Sequence, residues 1–425
     1  MYAEYLRHFT NKIYFMNLKR ILLLAACSTL ASNIANAQLS PTITSWLQNT
    51  TLTGYGGYTS NVQLVQYSAT MVYVSTGAIP EYSIGPWPSN PNIPAPQNFV
   101  CEFPRNPVQN TGAPVYTGLG NNGLWTNGVA IFNPKDGQYW NNTTSSFTNG
   151  ITNTGWNRNA LVYEGISFDT CLGHPAPGGC YHNHVNPKCL YNDKDSTHHS
   201  PIIGYAFDGF PIYGAYGYAS TTGTGAIKRM KSSYVLSTAT TRASGPPVNA
   251  TYPLGNMCED YVYTAGAGDL DIHNGRTCIT PEYPGGTYAY FVTIDANLNP
   301  VYPFVMGPTY YGVVGSTNSH ITPVGPDTTY TPSSTGVAII KEQDIRFQFV
   351  PNPVEDYAYI YMDANSLNNV SAKLYDIKGQ LMKRIDDMQP TIAYTLDMNA
   401  LPAGSYILIL ETGSKRVTQQ IVKSK

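Results

Sequence analysis

Five histidines fall within 26 residues: His174, His182, His184, His198 and His199. His182 and His184 are two apart, so on an extended strand both imidazoles project from one face. Two imidazoles on one face can grip one metal ion, and imidazole-rich ligation favours Zn or Cu. His198 and His199 are adjacent, so only one of them, taken here as His199, is expected to face the same way. Another histidine closes the run Gly268-Asp269-Leu-Asp271-Ile-His273-Asn-Gly-Arg276, where Asp269, Asp271 and His273 alternate and can share a face. The expected centre therefore has His182 and His184 as ligands, with His199 or His273 third. Asp208 or Asp271 would orient a ligand or act as general base, and Arg276 would steady an anionic substrate or transition state. The carboxylates would also admit Mn or Fe. Asp269 and Asp271 alone suggest a Ca²⁺ loop, although the EF-hand spacing is missing.

The same residues fit other roles. His-x-His is short of a named metal-site pattern. A structural His–Tyr–Asp hydrogen-bond network uses the same side chains, as does a metal-free catalytic or sugar-binding cleft. Trp87, Trp125, Trp140 and Trp156 offer rings for glycan stacking, so a non-catalytic surface binder of metal or glycan stands beside a metal-dependent hydrolase. No G-x-S-x-G elbow is present for serine catalysis.

Short β-like runs must position these groups, among them Met71-Val-Tyr-Val-Ser75, Val129-Ala-Ile-Phe132 and Tyr288-Ala-Tyr-Phe-Val-Thr-Ile294. Gly, Pro and Asn punctuate them densely, and no helical period persists beyond a turn or two. Thr126-Asn-Gly-Val-Ala-Ile-Phe-Asn133 echoes Phe207-Asp-Gly-Phe-Pro-Ile-Tyr-Gly214, each with a hairpin-type Asn-Gly or Asp-Gly pair. The expected fold is mainly β: a disulfide-containing sandwich- or barrel-like domain over 38–320. Cys101, Cys171, Cys180, Cys189, Cys258 and Cys278 form an even set suited to an oxidising compartment. Cys258 and Cys278 flank a Gly/Asp-rich loop whose closure would contribute about 3 kcal/mol.

Gly173-His-Pro, Gly179-Cys-Tyr-His-Asn-His184, the run His199 to Gly214 and Gly268 to Arg276 resemble the YHYH protein family. Thr280 to Thr293, Tyr302-Pro-Phe304 and Asn127-Gly-Val129 extend the resemblance to about residues 100–315. The name-giving tetrad reads Tyr181-His182-Asn183-His184, with Asn in place of the second Tyr. That change touches the strand face opposite the imidazoles. The family name describes a motif and transfers no activity.

The last 80 residues read differently. Residues 341–425 hold 10 Lys/Arg and 10 Asp/Glu, whereas residues 38–340 hold 10 and 15 in a stretch more than three times as long. The chain-wide 12% charge thus averages two unlike segments. Alternating runs such as Arg346-Phe-Gln-Phe-Val350, Tyr357-Ala-Tyr-Ile-Tyr361 and Ser405-Tyr-Ile-Leu-Ile-Leu410 predict a small immunoglobulin-like β-sandwich over 345–425. Pro351-Asn-Pro-Val-Glu355, Lys373-Leu-Tyr-Asp-Ile-Lys-Gly-Gln380, Leu401-Pro-Ala-Gly-Ser-Tyr406 and Ile421-Val-Lys423 resemble the type A sorting domain of the type IX (Por) secretion system. That resemblance implies a Bacteroidetes-type bacterium, recognition by the type IX machinery, and a final place at the cell surface or outside it. A Pro/Ser/Thr linker is expected over 321–344.

At the other end, Met16-Asn-Leu-Lys-Arg20, Ile21 to Ala26 and Ala35-Asn-Ala37 read as a secretory signal peptide over 1–37, with Met16 as a candidate start. Leu24-Ala-Ala-Cys27 is the lipoprotein-type rival. Nothing after this segment is apolar for long enough to form a membrane-spanning helix. The formal net charge of −2 provides no basic field for nucleic acid.

Overall fold

The computed structural model describes residues 39–49, 51–326, 328–332, 347–362, 370–388, 394–412 and 415–424. The expected signal peptide and most of the linker lie outside them. Among the described residues the chain is built from short strands, no α-helix exceeds a single turn, and no closed barrel forms. No helix is long and apolar enough to cross a membrane among these residues.

The centre of the first domain is an eight-stranded sheet. In chain order its strands are β1 (Gly123–Trp125), β2 (Ala130–Ile131), β3 (His174–Pro175), β4 (Tyr181–Asn183), β5 (Ile202–Ala206), β6 (Pro211–Tyr213), β7 (Gly275–Cys278) and β8 (Thr287–Phe291). Across the sheet they run β7-β8-β6-β5-β1-β2-β4-β3. β1, β2, β4, β5 and β6 are buried along their whole length, as expected of strands covered on both faces. Trp125 is fully buried there, so its ring is not available for stacking on a sugar.

The sequence echo has a structural meaning. Asn127-Gly128 turns β1 into β2, and Asp208-Gly209 turns β5 into β6. β5 pairs antiparallel with β1, so the two hairpins lie side by side in one sheet. Each turn is capped by its own side chain: Asn127 Oδ1 accepts from the Val129 amide and Asp208 Oδ1 from that of Phe210.

A second sheet combines Val62–Tyr67, Met71–Thr76 and Phe99–Pro104 with Thr328–Tyr330. The last of these lies in the stretch expected to be linker. It pairs with the first strand in register Val65 to Tyr330.

The C-terminal residues form sheets of three and four strands around one core. Phe349, Ala358 and Ile360 come from one sheet, and Leu374, Leu408 and Leu410 from the other. This is the small sandwich expected from the alternation.

Cysteine pairing departs from expectation. Cys171 and Cys189 are disulfide-bonded, whereas Cys101, Cys180, Cys258 and Cys278 are free and buried. Cys258 does not close the loop to Cys278. Its Sγ faces the carbonyls of Pro134 and Arg158, and the interior accommodates it as a small apolar residue with a weak donor.

Candidate metal centre

β4 carries Tyr181, His182 and Asn183, with His184 next in the chain. The pleat sends alternate side chains to opposite faces. On one face Tyr181 donates to Asp169, and Asn183 Nδ2 donates to the carbonyls of Cys171 and Leu172. These contacts hold the loop that is also tied by the Cys171–Cys189 disulfide. Asn183 therefore replaces an aromatic contact with two hydrogen bonds on the side away from the imidazoles.

His182 and His184 meet on the other face, with Nε2 atoms 3.0 Å apart. The third imidazole is His174, the register partner of His182 across the antiparallel β3–β4 pair. Cys180 O accepts from Ala176 N, and Ala176 O from Gly179 N, closing the turn that sets this register. Gly178 and Gly179 both have positive φ, and a Cβ on Gly179 would lie 2.8 Å from that of Ala95. One side-chain nitrogen from each of the three histidines lies within 4.8 Å of the other two, and all three residues are buried.

Hydrogen bonds fix the state of each ring. His182 Nδ1 faces the carbonyl of Cys180 and His184 Nδ1 that of Asn133, so both are N–H donors. His174 Nδ1 lies 2.7 Å from Ser167 Oγ, whose proton goes to the Glu164 carbonyl, so this Nδ1 also donates. In the neutral rings all three Nε2 atoms are then lone-pair donors directed into one space. Burial drives His182 well below the ordinary histidine range and His174 down to about 4, with the neighbouring His184 lowering both further. Phe132 stacks on His182 at 3.8 Å between centroids, and Phe168 meets His174 edge-on at 4.8 Å, so the walls are apolar.

Glu164 reaches the cluster from the chain between one helical turn, α1 (Ala160–Tyr163), and the following 3-10 turn, Gly165–Ser167. Asn159 caps α1 by accepting from the Leu161 amide. Glu164 Oε2 lies 3.1 Å from His184 Nε2 and 3.9 Å from His174 Nε2.

The other expected residues lie elsewhere. His199 Nδ1 donates to the Ser200 carbonyl, and its ring packs against Tyr213, Tyr218 and Phe291. His273 Nδ1 is bound at Thr309. Neither joins the cluster, whose third member among the described residues is His174. Asp208 is fully buried and accepts from Tyr290 Oη, the Gly312 amide and the Phe210 amide. Burial outweighs these donors and raises it to about 6. Asp271 accepts from Tyr288 Oη and from the His273 and Gly275 amides. Asp269 is paired with Lys228 and receives the Lys231 amide. Arg276 Nη2 donates to the Tyr218 carbonyl. Neither His174 nor Glu164 is among the groups expected from spacing at such a centre. The Gly178-Gly179 pair was a signal for His174, since a hairpin centred there sets residue 174 opposite residue 182. Glu164 has no spacing signal.

Residues 100–303 match the model of the YHYH protein family, and residues 348–424 match that of the secretion system C-terminal sorting domain. The chain carries a YHYH domain followed by a sorting domain. All three clustered histidines and Glu164 fall inside the YHYH domain, and the two-sheet sandwich is the sorting domain. The sorting domain marks the chain for the type IX secretion machinery and a place at the outer surface or beyond. No curated protein matches the chain.

Proposed function

We propose that the YHYH domain is an exported transition-metal module, with His174, His182 and His184 as its imidazole ligands and hydrolysis as its activity. One observation carries the reading: three buried Nε2 lone pairs face one space, and each Nδ1 is committed to its own acceptor. Two such lone pairs 3.0 Å apart repel unless a cation lies between them. Outer partners that fix the tautomer of each ring are what metal-binding histidines ordinarily possess. Zn or Cu suits three imidazoles best. An ion bound there supplies Lewis acidity for attack on a carbonyl or phosphoryl group. The histidine side chains are nearly closed off, whereas that of Glu164 is 30% exposed, so Glu164 marks the open side of the site.

The N-terminal segment is read as a signal peptide that carries the chain across the inner membrane before the sorting domain is recognised. Metal analysis of the purified full chain tests the central proposal. About one transition metal per chain is expected, lost in the His182→Ala/His184→Ala double variant. A metal-free chain with a correctly formed Cys171–Cys189 disulfide overturns it. A loaded site that turns over no ester, amide or phosphoester substrate leaves the non-catalytic metal-binding module.

A further inference from the structure

We infer that Glu164 is the fourth ligand of the histidine centre, so that the ion is held by three imidazoles and one carboxylate; this rests on the metal reading of the three histidines. Glu164 Oε2 is buried and has no hydrogen-bond partner, and neither has His174 Nε2. The atoms nearest to Oε2 across the site are His184 Nε2 and His174 Nε2, and in the neutral rings, with each proton at Nδ1, both carry lone pairs. A carboxylate oxygen set against two lone pairs, with no N–H to receive, is a repulsive arrangement in a partly buried place. A single cation among the groups turns every one of these contacts into an attraction. Two of the separations suit a shared ion, since atoms bound at about 2.0–2.2 Å, at angles near 90–110°, lie about 2.8–3.6 Å apart, whereas the 3.9 Å from Oε2 to His174 Nε2 is longer. The Oε2 to His184 distance is 3.1 Å and the His182 to His184 distance 3.0 Å.

The backbone keeps the carboxylate in place. The Glu164 amide donates to the Ala160 carbonyl, and the Glu164 carbonyl accepts from both the amide and the hydroxyl of Ser167. The same hydroxyl receives His174 Nδ1–H. One serine thus links the main chain of the carboxylate ligand to the ring of an imidazole ligand, which makes Ser167 a positioning residue. Because the Glu164 side chain is the most exposed of the four, an exchangeable ligand would enter beside it.

The test strips the full chain with a chelator and titrates it with Co²⁺, whose visible bands report the donor set. The parent should bind one Co²⁺. Glu164→Gln, nearly isosteric, should shift the bands and weaken Co²⁺ binding about 10-fold or more. Glu164→Asp, which keeps a shorter carboxylate, should fall between the two. Circular dichroism matching the parent shows that each variant folds. Bands and affinity unchanged in both variants overturn Glu164 as a ligand and leave the histidines standing. A parent that takes up no Co²⁺, or a His182→Ala/His184→Ala variant that still does, overturns the metal reading and Glu164 with it.

Discussion

His174 and His182 stand directly opposite one another across the β3–β4 pair, their ring centroids 4.5 Å apart. The pair reaches from one hairpin arm to the other, and His184 joins it from two residues along the second arm. It follows that His174→Ala should remove bound metal about as completely as His184→Ala. His199→Ala and His273→Ala should keep it. Elemental analysis of the four variants, normalised to protein, separates this set from the one expected on spacing.

Ser167 offers a finer test, because its hydroxyl touches no ion in the proposed site. Ser167→Ala leaves His174 Nδ1 without its acceptor, freeing the ring to turn. Loss of an outer partner of this kind typically weakens metal binding by about 10- to 100-fold. Competition with a chromophoric Zn chelator should show a drop in that range, while the far-ultraviolet dichroism stays that of the parent.

The cysteines make a counting prediction for the chain from Gln38 onward. Native protein should react with no thiol reagent, since burial covers all four free thiols and pushes those of Cys101 and Cys180 up to about 12. Unfolded in denaturant without reductant, it should release four thiols; with reductant, six. A count of zero in denaturant alone would mean three disulfides and contradict the arrangement seen.

His199 gives a pH dependence whose sign is fixed. Burial lowers it to about 4 in the folded chain, against an ordinary value near 6.5 once unfolded. The unfolded state therefore binds the extra proton first. Its contribution to stability is complete above about 6.5 and is lost as the pH falls toward 4, by on the order of 3 kcal/mol. Asp208, raised to about 6, acts in the opposite direction: it favours the folded chain at low pH and loses that contribution as the pH rises from about 4 to about 6. Replacing His199 by Gln should flatten the acid side of a urea-unfolding stability profile between pH 6.5 and 4. An equally steep profile would show that the ring is not held neutral.

Much of this molecule is legible in its amino-acid sequence. The alternation in Phe347–Val350 and Tyr357–Met362 is the local signature of a half-buried strand, and the sandwich followed from it. Asn127-Gly128 and Asp208-Gly209 specified hairpins because only certain residues accept those turn conformations. His182 and His184 were legible for a similar reason, since a two-residue spacing fixes a shared face. Long-range partners were not. Glu164 meets His184 only because α1 and its 3-10 turn deliver it from another part of the chain, and no local rule encodes that encounter. His199 and His273 resemble ligands by type, but their Nδ1 atoms are held at Ser200 and Thr309 and neither ring lies in the three-histidine cluster.

The parallel pairing of β2 with β4, Ala130 beside His182, has one more consequence. The carbonyl that orients His184 belongs to Asn133, 51 residues earlier in the chain. Bringing such segments together carries a loop-closure cost that local turns escape. On the metal reading proposed above, the histidines would capture an ion only once these segments have met. A chain kept unfolded on its way out of the cell would travel empty and take its metal from whatever the exterior supplies.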